Sequence, residues 1–130
     1  MFDKLLMREL KRLGASVFAV VRSAPFQNDA LLEDAKAVGL DEVADRILES
    51  GADAPGLVLE QAPPELRRLL DEADLIISKG LGNFEMLSEY AEQGLIRRPI
   101  LYVLIAKCEP VARCFGARKG DLIAKLWLPP

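Results

Sequence analysis

The sequence contains no histidine, and only two of its 130 residues are cysteine. Without histidine these residues cannot form a Ser-His or Cys-His dyad, a histidine general base or a zinc site with histidine ligands. Any metal held here would be a hard ion with oxygen ligands. Cys108 and Cys114 fall on one predicted helix. Their Cα atoms would lie about 9 Å apart at roughly 1.5 Å per residue, too far for an unstrained disulfide, which favours a reduced, cytoplasmic protein.

Long apolar runs and a strong charge of one sign are missing as well. No stretch approaches the roughly 18 apolar residues of a membrane helix, and the amino terminus lacks the layout of a signal peptide, since Asp3 arrives at once. The net charge of −3 gives no reason to expect nucleic acid. We therefore expect neither a membrane nor a nucleic acid as a partner.

The composition is that of a globular α/β protein. Apolar residues make up 51% and charged residues 28% of the chain, which argues against disorder. Apolar runs at 15–22, 75–78 and 100–106 predict buried strands. Amphipathic spacing predicts helices over 2–13, 29–38, 41–49, 64–73, 83–93 and 109–115; residues 56–60 fit a short strand, and 121–127 either a strand or a helix. The alternation predicts a single α/β domain over residues 1–130, a Rossmann-like three-layer sandwich with a mostly parallel sheet of about four or five strands.

The stretch from Asp74 to Glu85 organises the rest of the sequence. A short apolar run is followed by Lys79, Gly80 and Asn83, the outline of a strand, a tight loop and a helix start. In an open α/β sheet, ligands bind at the carboxyl ends of the strands. Glycine lets backbone N–H groups approach an anion, and a helix start attracts negative charge. A phosphate group is the natural ligand of such a loop.

Two other predicted strand ends carry polar groups. Lys107 follows the strand over 100–106, and Arg22, Asn28 and Asp29 follow the strand over 15–22. A second lysine beside the loop strengthens the case for phosphate, and a carboxylate beside an asparagine suggests a hard metal ion.

Each group also has a purely structural explanation. The Lys79–Asn83 segment could be a tight turn, because it matches neither the Walker loop nor Gly-x-Gly-x-x-Gly. Asn28 or Asp29 could cap the next helix. Lys107 could extend into solvent, and Glu85 could serve the dipole of its helix.

Four spaced motifs resemble one known family, the metal-dependent damage-control phosphatases, long catalogued as domain of unknown function number eighty-nine. Ile77-Ser-Lys-Gly-Leu-Gly-Asn-Phe-Glu85 resembles the signature loop of that family. Val21-Arg-Ser-Ala-Pro-Phe-Gln-Asn-Asp-Ala-Leu-Leu-Glu-Asp-Ala35 is similar to its Val-Arg-x-x-Pro-x-x-Asn-Asp segment. Leu104–Ala112 and Arg118–Leu122 are similar to its later motifs, in the same order.

The resemblance implies a role for individual residues. Asp29 matches a metal-binding carboxylate, Lys79 matches the lysine that contacts the substrate phosphate, and Lys107 lies where a second basic group faces the pocket. The family hydrolyses phosphate esters of small phosphometabolites, including sugar phosphates, with manganese, cobalt, nickel or magnesium. Supporting positions lie in the matching motifs: Gly80 and Asn83 beside the phosphate, with Arg22, Asn28 and Glu85.

One family motif is not present in these residues. Family members carry Asp-Asn-x-Gly-Glu just upstream of the segment resembled by Phe2–Leu6, and this pair supplies the other metal ligands. The resemblance thus covers the carboxyl-terminal portion of a larger fold. On this interpretation, Met1 is either the true start of the protein or a mis-assigned one. We expect the lone chain to be incomplete, with a homo-oligomer or a partner chain covering the missing part. The alternative function is a non-catalytic phosphate-ligand-binding or assembly module.

Overall fold

A computed structural model describes residues 2–27 and 29–130 of the chain, so the predicted site residue Asn28 lies outside the described residues. Helices and strands alternate along most of this length, which confirms the α/β class. The elements are α1 (Phe2–Arg12), β1 (Phe18–Val21), α2 (Leu32–Ala37), β2 (Arg46–Glu49), a short 3-10 helix (Leu59–Gln61), α3 (Pro64–Glu72), β3 (Ile76–Lys79), α4 (Leu81–Glu92), β4 (Ile100–Ile105), α5 (Glu109–Cys114) and β5 (Leu122–Trp127).

The strands of the described residues pair into two sheets. β1 and β2 form a parallel pair, and β3, β4 and β5 form a sheet in that order. β3 and β4 are parallel, whereas β4 and β5 are antiparallel. Parallel pairing predominates as predicted, but these pairings make two sheets and do not reproduce the single sheet that we expected.

Contacts divide the chain into two compact units. The first comprises Met1–Ala54 with Val58–Leu66, and the second comprises Pro55–Leu57 with Arg67–Pro130. No helix in the described part of the chain is long and apolar enough to cross a membrane. Cys108 and Cys114 are both free thiols.

The first unit has a small apolar core. Met7 of α1 is buried with Val21, Ala35 and Leu40. Two ion pairs fix α1 at its charged edges, Lys4 to Glu42 at 2.9 Å and Lys11 to Asp45 at 2.5 Å.

The predicted helix over residues 41–49 is wrong, because Arg46–Glu49 is strand β2. The apolar spacing of this segment fits a helix, but Leu48 lies buried beside Val20 in the parallel ladder with β1. Pairing with a distant strand overrides local helical preference here.

The second unit is built around β4. Ile100 is fully buried and Tyr102 nearly so, while α4 buries Phe84, Leu87 and Tyr90. The Phe84 ring meets Tyr102 edge-on, with centroids 5.2 Å apart.

The predicted strand over 56–60 is also wrong, since residues 59–61 form the short 3-10 helix and 55–58 are loop. The carboxyl-terminal segment, left open between strand and helix, is strand β5. The result places the carboxyl ends of two neighbouring parallel strands, β3 and β4, at one edge of the sheet.

Candidate functional site

The turn from β3 into α4 depends on the backbone of Gly80. Lys79 ends β3, and Gly80 follows at φ 86° and ψ 166°, a conformation open essentially to glycine. The Gly80 N–H donates to the Val103 carbonyl at 2.9 Å, and the Gly80 carbonyl accepts from the Phe84 N–H at 3.1 Å. Gly80 therefore makes the last hydrogen bond of the β3–β4 ladder with its N–H and accepts the first hydrogen bond of α4 with its carbonyl.

Gly82 is needed for a different reason. A Cβ at Gly82 would overlap the carbonyl oxygen of Pro55 and lie 2.9 Å from its carbonyl carbon. A Cβ at Gly56 would in turn lie 3.0 Å from the carbonyl carbon of Gly82. Two backbones therefore pack directly against each other, and no sequence pattern indicated this contact.

Asn83 holds the loop together. Its side-chain amide nitrogen, Nδ2, donates to the Lys79 carbonyl at 3.1 Å, which fastens the first turn of α4 to the end of β3. Asn83 thus lies in the first turn of α4, and this donor is directed to the backbone.

The first turn of α4 can receive an anion. The N–H groups of Leu81, Gly82 and Asn83 precede the first intrahelical hydrogen bond, so they have no acceptor within the helix. The positive end of the helix dipole lies at the same place and also favours a negative charge. A Cβ built on Gly80 would meet no atom within 4 Å, so the approach to this end of the helix is open. The side chain of Lys79 is exposed beside it.

A cleft of about 500 Å³ adjoins the same loop. Gly80 and Leu81 line one part of it, Lys107 another, and the remaining wall is formed by residues 103–105 of β4 and 122–124 of β5. Lys107 is exposed in the connection between β4 and α5. The structure thus brings two predicted phosphate-binding residues, Gly80 and Lys107, onto one cleft, whose other walls are mainly apolar.

Two buried hydroxyl groups lie within the sheet near this edge. Ser78 and Tyr102 are opposite each other on β3 and β4, and neither hydroxyl has a hydrogen-bond partner among the described residues. Burial raises the pKa of Tyr102 from 10.0 to about 12, and the negative charge of Glu92 adds to the rise. Tyr102 therefore stays protonated at neutral pH, which makes it unsuited to act as a base.

Glu85 lies outside the first turn of α4. Because the helix starts at Leu81, two residues before the predicted start, Glu85 falls in the second turn, and its exposed side chain is poorly placed to serve the helix N-terminus. The structural explanation given above for this residue is therefore wrong.

Asp29, in the first unit, is held by Arg22. The Arg22 Nε and Nη2 atoms both donate to Asp29 Oδ2, at 2.8 and 2.6 Å. The guanidinium group also lies over the Phe26 ring, 5.0 Å from its centroid. The Arg22 side chain is 10% exposed and that of Asp29 53% exposed. The arginine side chain is thus nearly buried and packed on Phe26, while the carboxylate faces solvent.

The loop that carries Asp29 is closed at its base. The Arg22 N–H donates to the Ala30 carbonyl at 3.1 Å, and Arg22 forms a parallel bridge with Leu31. Helix α2 starts only at Leu32, where the Asp34 carboxylate accepts the Leu31 N–H at 2.9 Å. Asp29 is therefore not the helix cap that its position suggested.

The described residues do not form a complete metal site. Among them no group of three or more His, Cys, Asp or Glu side chains is placed to bind one ion. The carboxylate that was predicted to bind a metal, Asp29, is paired with Arg22. The sequence suggested Arg22 as a supporting residue but gave no sign that it contacts Asp29.

Comparison with known proteins connects these observations to one family. A model described as "Damage-control phosphatase ARMT1-like domain" matches residues 1–123. A damage-control phosphatase of Archaeoglobus fulgidus is 45% identical over 125 residues, 96% of this chain and 42% of that protein. A damage-control phosphatase of Pyrococcus horikoshii is 34% identical over 123 residues, 94% of this chain and 41% of that protein.

A solved structure agrees with the sequence comparisons. The crystal structure of a DUF89 family protein from Pyrococcus horikoshii matches with a TM-score of 0.83 and 35% identity, over 95% of this chain and 41% of the other. The chain therefore spans about two fifths of the length of these relatives.

Proposed function

Because the chain belongs to the damage-control phosphatase ARMT1-like domain family, we propose that it supplies the phosphate-binding part of a phosphatase site for small phosphorylated metabolites such as sugar phosphates. The observation that carries the proposal is the β3–α4 turn. The turn has an open glycine, N–H groups that precede the first intrahelical bond of a 12-residue helix, and a cleft shared with Lys107. Together these features form a receptor for a compact anion.

The proposed roles follow from charge. Transfer of a phosphoryl group spreads negative charge over its oxygens, and fixed positive groups and N–H donors stabilise that charge. Lys79 is proposed to contact the phosphate, Lys107 to face it across the cleft, and Gly80 to admit it to the helix start. Asn83 is proposed to keep this turn in shape.

A divalent cation is proposed as the cofactor of the complete site, manganese, cobalt, nickel or magnesium, with Asp29 as one ligand. When bound, such an ion polarises a phosphoryl oxygen and activates water. The other ligands would come from outside the described residues, because Asp29 alone does not satisfy a hard cation.

We also propose that further polypeptide, a second copy or a partner chain, covers part of the surface. On one face of the β4–β5 ladder, Ile105 is 47%, Leu122 82% and Leu126 50% exposed. Apolar positions on both faces of a sheet are typical of a sheet covered on both sides. A Rossmann-like sandwich for the assembled protein belongs to the same proposal; a single domain over 1–130 and a cytoplasmic location stay predictions.

The incomplete metal site favours a second candidate function, a non-catalytic module that binds phosphorylated ligands. This candidate predicts that a sugar phosphate raises the melting temperature of the chain without being hydrolysed. Hydrolysis of the sugar phosphate by the chain itself would exclude it.

A hybrid protein tests the phosphatase. The chain would replace the matching segment of the Archaeoglobus relative, and phosphate release from a sugar phosphate and an aryl phosphate would be measured with each of the four metals. We expect metal-dependent release by the hybrid, abolished by Lys79→Ala and retained by the control Lys36→Ala, which alters an exposed lysine of α2 outside the family motifs. Undiminished release by the Lys79→Ala hybrid would contradict the assignment, as would an inactive hybrid that folds normally.

A further inference from the structure

The ion pair between Arg22 and Asp29 differs from the surface pairs of the chain. Arg12 and Glu9 pair on α1 with both side chains more than 60% exposed. Arg22, by contrast, is almost buried, stacked on Phe26 and anchored through its own backbone to Ala30. Its guanidinium group contacts the Phe26 ring as well as the carboxylate, so Asp29 meets a positive charge with a second point of support.

The two carboxylate oxygens of Asp29 differ in their hydrogen bonding. Both arginine donors use Oδ2, and among the described residues no bond is recorded to Oδ1. Because Asp29 is 53% exposed, a cation from solvent can reach the carboxylate. The cation would contact Oδ1, which accepts no hydrogen bond from the described residues, close to the positive charge of the Arg22 guanidinium group.

We infer that Arg22 is the internal counter-ion of Asp29, a positioning residue that holds Oδ2, leaves one oxygen for a divalent cation and lowers the cation affinity of this chain. The inference rests on the proposed function in taking Asp29 as the metal-binding carboxylate. It explains why the predicted metal ligand is already neutralised, and it implies that tight binding needs the other ligands of the complete site.

The test is the affinity of the purified chain for Mn²⁺, followed by the electron paramagnetic resonance signal of the free ion. A unit charge and a divalent ion about 5 Å apart repel each other, in water, by enough to change affinity more than tenfold. With salt screening we expect Arg22→Gln to bind Mn²⁺ about tenfold more tightly than the parent. Arg22→Lys keeps the charge and should stay within about twofold of the parent.

Matched variants separate this effect from a general change in charge. Arg46→Gln removes another arginine of the first unit, one that pairs with Glu65 through both of its terminal nitrogens. It should leave Mn²⁺ affinity unchanged. Asp29→Asn in the Arg22→Gln background should remove the gain. Circular dichroism of each variant would confirm that the chain is folded.

The outcomes are distinct. An Arg22→Gln chain that binds Mn²⁺ no more tightly than the parent overturns the inference, and so does a gain that survives Asp29→Asn or is matched by Arg46→Gln. If Asp29→Asn weakens binding in the parent while Arg22→Gln has no effect, the counter-ion role is wrong and the metal-binding role of Asp29 stands. If Phe26→Leu, which loosens the arginine, also raises affinity, the anchoring argument is supported.

Discussion

Gly82→Ala would place a methyl group between two packed backbones. The new Cβ would lie 2.9 Å from the carbonyl carbon of Pro55 and closer still to its oxygen. Non-bonded carbon atoms prefer a separation of about 3.5–4.0 Å. To restore this separation from the Pro55 carbonyl carbon, the Pro55 loop or the first turn of α4 must move by more than about half an ångström. Such overpacking costs about 3 kcal/mol at the upper end. Replacing glycine by alanine in a helix returns about 1 kcal/mol.

We therefore expect Gly82→Ala to lower the free energy of unfolding by about 2 kcal/mol. The measurement is urea unfolding of parent and variant at neutral pH. Because the displaced turn carries the N–H groups proposed to bind phosphate, the variant should also bind inorganic phosphate more weakly.

Gly94→Ala is the matched control. Gly94 has a φ of 70°, and a Cβ there would meet no atom within 4 Å. Only the left-handed backbone is strained, which costs about 1 kcal/mol, and phosphate binding should not change. A Gly82→Ala chain as stable as the parent, or stabilised by the helical gain alone, would refute the packing of Pro55 on Gly82.

Three further variants probe the packing and charge of the two units. Tyr102→Phe removes a buried hydroxyl without a partner among the described residues, so stability at pH 7 should stay equal or rise by about 1 kcal/mol. The pKa of Tyr102 is raised from 10.0 to about 12, so between pH 10 and about 12 the folded parent keeps a proton that the unfolded chain releases. The free energy of unfolding of the parent should therefore fall over this pH range, and that of Tyr102→Phe should fall less. An equal loss of stability in both proteins would contradict this. The hydrogen bond from Lys11, with the Val17 N–H adding to it, lowers the pKa of Asp45 from 3.8. The stabilisation is therefore present above that value and lost as pH falls through the lowered pKa, and Asp45→Asn should reduce the acid sensitivity seen in pH-dependent melting. Asn83→Ala removes a hydrogen bond to the backbone and should cost about 1 kcal/mol in urea unfolding; a neutral result would argue against its role in the turn.

The sequence predicts best where a segment needs little context. The run at 100–106 is apolar at every position and forms β4 over Ile100–Ile105. The glycine pattern after Ser78 predicts the turn into α4, because only glycine accepts the φ and ψ of Gly80. Lys107 is likewise located correctly, after the end of a strand and before a helix that begins at Glu109.

Prediction fails where distant segments decide the local structure. Residues 46–49 have helical spacing, yet β1 supplies a ladder partner and makes them a strand. Pro55 and Gly82 are far apart in sequence, so their backbone contact has no local pattern.

The site is affected in the same way. Arg22 and Asp29 are seven residues apart across a loop, a spacing that in a strand or helix would not pair them. The loop closes on itself through the bond from Arg22 to Ala30, which brings the two side chains together. The sequence identifies Asp29 as a candidate ligand; the closure of the loop determines that it meets an arginine.

Titration of the ¹⁵N-labelled chain with inorganic phosphate tests the central claim most directly. If the β3–α4 turn is the phosphate receptor, the amide resonances of Leu81, Gly82 and Asn83 should shift in a saturable manner. These shifts should be lost in Lys79→Ala and retained in Lys36→Ala. Saturable shifts that occur elsewhere and spare this turn, or shifts of the turn that are unchanged in Lys79→Ala, would contradict the account.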